Sequence, residues 1–210
     1  MDYNDFSDRL RRTLNSLNAR FNDDIEVFVE KEEKVKINPD NSKTTTISIS
    51  YSFGSDSYET IMNRIFIILY NLSSLKDHLK NALLAKGANQ HDVEDEINNS
   101  LHMQVLIDIV NQEKHGSPLK RTNRSNKNPK IVEAQQSLII SATSTPGNPN
   151  SQSAIFFTQT GIKQVGNGSQ KMAITAKIVD GDNNLLFHLD ELLETSYENF
   201  LKIANKHDCC

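Results

Sequence analysis

The residues best suited to catalysis or binding lie where a strongly apolar helix becomes polar. Asp108, Asn111 and His115 are spaced i, i+3 and i+7, which places them on one face of a helix. Lys114 stands beside them, and Gly116 follows at once. A histidine at this point can donate a proton or bind a phosphate. The alternative is that Asn111 and His115 only satisfy carbonyl groups at the helix end. We therefore take His115 as the candidate catalytic residue and its neighbours as candidate binding residues.

A basic segment follows this helix end and contains no acidic residue. Its Ser, Thr, Asn and Pro content predicts an exposed loop over residues 117–130. Because the loop comes directly after His115, its cations are expected to lie along a phosphate backbone. Its predicted binding residues are Lys120, Arg121, Arg124 and Lys127, with Lys130 at its end.

Other catalytic and metal-binding motifs are missing from the sequence. It has no glycine-rich phosphate loop, no His-Glu-x-x-His and no Gly-x-Ser-x-Gly elbow. His78, His91 and His102 could approach one another across a bundle and, with Glu94 or Asp108, bind a metal. Unrelated surface histidines are the simpler interpretation, so we expect no cofactor.

Both cysteines, Cys209 and Cys210, stand at the C-terminus. They exclude a disulfide framework and a cysteine-ligated zinc inside the fold. The twin-cysteine ending resembles the prenylation tail of Rab-type small GTPases, but no P-loop lysine accompanies it. A dangling, reactive tail is the prediction.

Hydrophobic periodicity places the candidate residues in a helical bundle. Apolar residues at spacings of three and four predict one long helix, in which Ile65, Ile68 and Leu72 should be almost fully buried. Short loops between consecutive helices favour antiparallel neighbours. The predicted helices cover residues 3–21, 56–85, 91–100, 101–115 and 187–206.

Alternating apolar residues predict antiparallel strands in two places. A hairpin over residues 25–53 follows the first helix. A three-stranded antiparallel element, at 131–142, 153–159 and 170–179, lies between the third and fourth helices of the bundle. The fold class that this pattern indicates is α+β.

The same pattern divides the chain into five segments that we expect to form one compact unit, with the last packing on the bundle. The segments are an N-terminal helix and hairpin (1–55), the helical bundle core (56–116), the basic loop (117–130), the antiparallel strands (131–180) and the C-terminal helix and tail (181–210).

The composition limits the classes of partner and the cellular compartment that we expect for this chain. The chain has 210 residues, of which 37% are apolar, and its 27 acidic and 23 basic residues give a net charge of −4. That balance excludes a uniformly basic nucleic-acid coat but allows a local basic patch. The acidic N-terminus argues against a signal peptide, and the apolar stretch 65–70 is too short to cross a bilayer. We therefore expect a bacterial-type cytoplasmic protein without a membrane partner.

A helix that ends in Asn-x-x-Lys-His-Gly, as at 111–116, resembles the HEPN superfamily of small helical domains. Its members include ribonuclease toxins, nucleases of defence systems and non-catalytic versions that bind RNA or protein. The resemblance covers residues 56–116 and the C-terminal helix, and leaves the strands at 131–179 outside the superfamily pattern.

The active motif of that superfamily is an Arg, often followed by a polar residue, and then a His four to six residues later. If His115 is the motif histidine, the Arg should stand at one of three positions, which here hold Asp108, Ile109 and Val110. Because the missing Arg helps to hold the phosphate in active members, the resemblance implies a degenerate module and favours a protein that is not an enzyme.

Three functions follow from these observations. The first is a catalytically degenerate HEPN-like module that binds RNA or a protein partner, in bacterial defence or stress. The second is a divergent metal-independent ribonuclease with His115 as acid or base and Lys114 or Arg121 on the phosphate. The third is a structural or adaptor protein that acts by oligomerisation of the long helix, and a homo-oligomer is the expected assembly.

Overall fold

The computed structural model shows an α+β protein in which helices and antiparallel strands alternate along the chain. The residues that the structure describes are 6–18, 20–22, 27–37, 39, 43–53, 56–116, 123–142, 154–158, 161–166 and 168–209.

The helices of the described part are α1 (Phe6–Asn18), α2 (Tyr58–Ala85), α3 (His91–Asn99), α4 (Leu101–His115) and α5 (Leu189–Lys206). The strands are β1 (Phe21–Asn22), β2 (Val27–Ile37), β3 (Lys43–Phe53), β4 (Lys130–Ala142), β5 (Ala154–Thr158), β6 (Gly161–Val165), β7 (Gly168–Val179) and β8 (Leu185–His188). The α+β class is therefore confirmed.

The chain divides into two compact units. The first comprises residues 1–20, 57–136 and 174–210, and the second comprises 21–56 and 137–173. The prediction grouped the N-terminal helix with the hairpin. In the structure α1 belongs to the helical unit, because Phe6, Leu10 and Leu17 are buried in its core.

The long helix α2 is the centre of the first unit, and α1, α3, α4 and α5 all pack against it. Its predicted core residues Ile65, Ile68 and Leu72 are buried, as the periodicity indicated. The helix starts at Tyr58, two residues after the predicted start at 56. Its N-cap is Ser57, whose side-chain oxygen accepts a hydrogen bond from the Thr60 backbone N–H at 3.2 Å.

Helix α4 lies in the same core and is capped at both ends. The Ser100 hydroxyl accepts a hydrogen bond from the Met103 backbone N–H. Gly116 ends the helix with φ of 83°, in the left-handed region that favours glycine over other residues. This end fixes where the polar residues that follow the apolar part of α4 reach the surface.

The strand region from 130 to 188 holds two strands more than the three predicted. β5 pairs with β6 in a short antiparallel hairpin, and β8 pairs antiparallel with β7. Strand β7 is also hydrogen-bonded to β4. Because residues 185–188 pair with β7, helix α5 begins at Leu189 and not at 187.

The predicted N-terminal hairpin is formed by β2 and β3 in the second unit. The two strands pair antiparallel over their whole length, from Val27 opposite Phe53 to Ile37 opposite Lys43. A Lys- and Glu-rich stretch lies within β2, because its backbone continues the same ladder as far as Ile37.

The oligomerisation hypothesis depends on the face that α2 presents. The large exposed apolar residues of α2 are Tyr58, Ile67 and Leu84. At 100° per residue they point in three different directions around the helix, so they form no continuous apolar stripe. The expected homo-oligomer stays a prediction.

Replacing Leu72 by Ala should destabilise the protein by about 2–5 kcal/mol, because a fully buried side chain is removed and a cavity is left. Leu84 lies on the same helix and is 62% exposed, so Leu84→Ala is the matched control and should change stability by less than about 0.5 kcal/mol. Urea unfolding followed by circular dichroism measures both. Equal losses in the two variants would contradict the assignment of the buried face.

Candidate functional site

Asp108 was predicted to share a surface site with Asn111 and His115, and the structure corrects this. Its side chain is 0% exposed. Its carboxylate accepts hydrogen bonds from the backbone N–H of Arg124 and of Ser125, both at 2.8 Å, and from the Ser125 hydroxyl at 2.6 Å. A buried carboxylate needs such donors because it has left water. Asp108 is therefore an internal anchor for the loop, and its oxygens do not face a ligand.

The part of the basic loop that is described, residues 123–129, is compact and not exposed along its length. Ser125 and Pro129 are buried. Asn126 and Asn128 have positive φ, a conformation that Asn adopts more readily than most residues. The Lys127 carbonyl accepts a hydrogen bond from the Gly181 backbone N–H at 2.7 Å. The predicted exposure therefore holds for residues 126–128 and is wrong for Ser125 and Pro129. The burial of Ser125 follows because Asp108 accepts hydrogen bonds from its backbone N–H and its hydroxyl.

Arg124, a predicted phosphate ligand, is engaged within the protein. Its guanidinium lies 2.7 Å from one carboxylate oxygen of Glu94 on α3, and Lys80 from α2 donates to the other. Burial by itself would raise the pKa of Glu94, but the hydrogen bonds from Arg124 and Lys80 outweigh it and lower that pKa to about 2. The three side chains tie two helices to the loop.

Lys127 is exposed, and its positive charge acts on a carboxylate of the same compact unit, that of Asp180. Hydrogen bonds from Asn184 lower the pKa of Asp180, and the positive charge of Lys127 lowers it further. Lys130 donates to the Gly181 carbonyl at 3.3 Å. Lys120 and Arg121, which were predicted to bind phosphate, lie outside the described residues.

His115 is exposed in the last turn of α4. Among the described residues its ring makes no hydrogen bond. The positions at which the HEPN motif would place its Arg hold Asp108, Ile109 and Val110, and all three are buried.

Asn111 and Lys114 lie together in a cleft of about 100 Å³ between α2 and α4. The Lys114 ammonium lies over the ring of Tyr70, 5.3 Å from its centroid. Ser73 and Ser74 line the opposite side of the cleft. Asn111 is half-buried, and within the described residues its amide makes no hydrogen bond. Its donors are thus available to a ligand.

Charged side chains of both signs stand at this cleft, which we call the α2–α4 cleft: Lys76, Asp77 and Lys114 line it. Arg9 from α1 donates to the Ser74 hydroxyl and to the Asn71 side-chain oxygen. Burial raises the pKa of the Tyr70 hydroxyl, and the negative charge of Glu113 raises it further.

Sequence reasoning did not join Tyr70 or Arg9 to this surface. Tyr70 ends the most apolar stretch of α2, which the sequence predicts to be buried. The arginines of α1, Arg9 among them, are compatible in sequence with an anion-binding surface or with a solvated helix face. Only the packing of α1 and α4 against α2 brings these residues to Asn111 and Lys114.

The possible metal ligands are dispersed. Glu94 and Asp108 already accept hydrogen bonds from the loop. The His102 ring stacks on the Phe187 ring, with a centroid distance of 3.9 Å, and its Nε2 lies near a carboxylate oxygen of Glu191. In the described residues, no three His, Cys, Asp or Glu side chains converge as a metal site would require.

The predicted dangling tail is wrong for Cys209, because this residue packs against the core and its backbone N–H donates to the Ala204 carbonyl. Cys210 lies outside the described residues.

The fold and site define an α+β protein whose helical unit has a cleft lined by Tyr70, Asn111 and Lys114. Neither protein-family models, nor curated proteins, nor solved structures give a match to this chain. None of the described helices has both the length and the apolar character needed to cross a bilayer.

Replacing Asp108 by Asn should lower stability by about 2–4 kcal/mol, because at least one charge-assisted hydrogen bond is lost and a buried N–H is left without its acceptor. Asp95→Asn, an exposed change on α3, is the matched control and should be near neutral. Chemical denaturation at pH 7 measures both. A neutral Asp108→Asn would show that the loop does not depend on this carboxylate.

The lowered pKa of Glu94 predicts a stability contribution that depends on pH. The folded pKa of about 2 lies below the unfolded value of about 4.5, so the contribution is complete above about pH 5 and is lost as the pH falls towards 2. We expect about 1–2 kcal/mol, reduced from the full linkage value by solvent screening, because a quarter of the side chain is exposed.

The measurement is the free energy of unfolding of wild type and Glu94→Gln from pH 7 to pH 3. The difference between them should shrink as the pH falls. Glu96→Gln, on the same helix, should run parallel to wild type. A constant difference between wild type and Glu94→Gln would contradict the lowered pKa.

Proposed function

We propose that this protein is a non-catalytic, HEPN-like module that binds single-stranded RNA in the α2–α4 cleft. The observation that carries the proposal is the meeting of Asn111 and Lys114, both from the motif at the end of α4, with the ring of Tyr70. A cation, an amide donor and an aromatic ring are the groups that bind a phosphate and stack a base.

The phosphate contact that we propose is made by the cations of the cleft. Arg9 of α1 donates to Ser74 in its lining and adds positive charge there, whereas Asp77 in the lining and Glu113 beside Tyr70 add negative charge. Lys76 at the rim lies 3.6 Å from Asp77 and is partly neutralised. Lys114 makes no ion pair with a carboxylate within the described residues, so its charge is the one that a phosphate would meet first.

The size of the cleft limits what it holds. A volume of about 100 Å³ corresponds to roughly three water molecules, which suits one phosphate or one base edge. A strand would therefore cross the surface with one group seated in the cleft. Such a contact supports binding with little sequence preference, because every base has a face that can stack on Tyr70.

The non-catalytic half of the proposal is supported by the surroundings of His115. The histidine has no hydrogen-bond partner in the described part of the chain, and the three positions open to the motif Arg are buried. A phosphate at Lys114 would meet no positioned acid and base. We therefore expect the RNA to remain intact.

The test is fluorescence anisotropy with a labelled twelve-residue oligouridylate over a series of salt concentrations. Wild type should bind with a negative log–log salt slope of about 0.7 per phosphate neutralised. Lys114→Gln should weaken binding and flatten the slope by about that amount. Lys202→Gln, an exposed lysine of α5 outside the cleft, should leave both unchanged.

A second pair of variants tests the aromatic ring. Tyr70→Phe keeps the ring and should bind as wild type does, whereas Tyr70→Leu should lose about 1–3 kcal/mol of stacking. No RNA binding, or the same loss in Lys114→Gln and Lys202→Gln, would overturn the proposal and leave a protein partner as the ligand. Cleavage by wild type that disappears in His115→Ala would instead establish a ribonuclease.

A further inference from the structure

Strand β3 has an open edge. Within the described residues, β2 and β3 form a sheet of two strands, and no third strand is hydrogen-bonded to β3. In an antiparallel pair every second residue directs its backbone N–H and C=O away from the partner strand. Over the eleven residues of β3, a length of about 36 Å, these groups form a template on which a further strand can pair.

The other edge strands of the described chain carry features that oppose such pairing. β1 and β8 have only two and four residues, and β5 and β6 have five each. β4 follows Pro129, and its extended backbone is interrupted by a φ of 51° at Glu133. β2 has Glu or Lys at six of its eleven positions. Short length, proline, irregular backbone and charge are the usual protections of a strand edge.

The sequence of β3 carries none of these protections. From Thr44 to Phe53 it has no charged residue and no Pro or Gly, and it consists of Thr, Ser, Ile, Tyr and Phe. Most of these residue types favour strands. A two-stranded hairpin is marginally stable in water, and further strands stabilise it. A long, uncharged edge on such a hairpin therefore favours a partner strand.

The sequence of β3 is also complementary to itself about its central residue, Ser48. If two copies pair antiparallel with Ser48 opposite Ser48, Ile47 lies opposite Ile49 of the second copy, and Thr45 lies opposite Tyr51. These positions share one face of the strand, because residues two apart point the same way. The alternate positions hold only Ser and Thr on both copies. Apolar residues thus meet apolar or β-branched ones, hydroxyls meet hydroxyls, and no like charges are opposed.

We propose that two copies of this chain pair edge to edge through β3, antiparallel and centred on Ser48, to form one four-stranded sheet. Each copy contributes the same strand, so the interface has two-fold symmetry. The outer strands of the joined sheet are the two β2 strands, whose charges oppose the addition of a third copy. The assembly therefore closes as a dimer. The homo-oligomer forms through β3 and not through α2, and the proposal stands whether or not RNA binds in the cleft.

The test is sedimentation velocity of the full chain at about 100 μM, where a Kd below about 10 μM gives mostly dimer. Wild type should have twice the mass of one chain. Ile47→Lys and Ile49→Glu should each weaken dimerisation at least about tenfold, because each places a charge opposite an apolar residue of the second copy. Both variants keep the hairpin, since Ile47 is opposite Glu33 and Ile49 is opposite Lys31 within one chain.

An equimolar mixture of the two variants tests the register. In the proposed pairing the new lysine of one chain lies opposite the new glutamate of the other, and the remaining Ile49 lies opposite the remaining Ile47. The mixture should therefore form heterodimers, although each variant alone is monomeric. Ile67→Lys, the same change at a position of α2 that is 58% exposed, is the matched control and should stay dimeric.

Four outcomes would each overturn the proposal: a monomeric wild type, a dimer as stable as wild type in either single variant, loss of the dimer in Ile67→Lys, and a mixture that stays monomeric. Circular dichroism of each variant confirms that it is folded. The mass of wild type is measured without any substitution, so the proposal stays testable if one variant fails to fold.

Discussion

A single buried carboxylate, that of Asp108, determines how the helical unit is joined to its strands. Because a charge cannot be buried without donors, the backbone of Arg124 and Ser125 must come to α4. That approach carries the Arg124 guanidinium to Glu94 and thereby links α3 and α2 through Lys80. It also brings Lys127 within reach of Gly181. The chain then enters β4 at a fixed point, so the position at which this strand starts depends on one side chain in the core.

The same helix divides its residues among three surroundings. Asp108 binds the loop, and Asn111 and Lys114 line the α2–α4 cleft. Ile109 and Gln112 line a separate open cavity on the other side of the helix. A helix allows this because residues three and four apart share a face whereas adjacent residues diverge by about 100°. Shared spacing therefore does not ensure a shared site. Asp108 and His115 have the spacing of neighbours, yet one is buried among donors and the other lies in solvent.

Periodicity was enough to predict the helices, the long hairpin and the burial of Ile65, Ile68 and Leu72, because these depend on apolar residues alone. The short strands β6 and β8 carry too few residues to show a period. The role of Asp108 could not be predicted, since two of its three donors are backbone N–H groups that any residue supplies. Of the residues at the cleft, Asn111 and Lys114 were singled out from the helix end, whereas the approach of Tyr70 and Arg9 depends on helix packing.

Which basic side chain can bind an anion depends on which of them already contact a carboxylate or a carbonyl group. A count of basic residues pointed to the loop after His115, but Arg124 is held by Glu94 and Lys130 by a carbonyl. A cation that already serves a carboxylate must break that contact before it can serve a phosphate. The hydrogen bonds of Arg124 and Lys80 lower the pKa of Glu94 against the effect of burial, so both cations favour its charged form. Within the part of the chain that the structure describes, Lys114 makes no ion pair and lies over the face of Tyr70. An aromatic face stabilises an ammonium without neutralising its charge. The proposed phosphate contact therefore centres on Lys114 and not on Arg124, whose charge already serves Glu94.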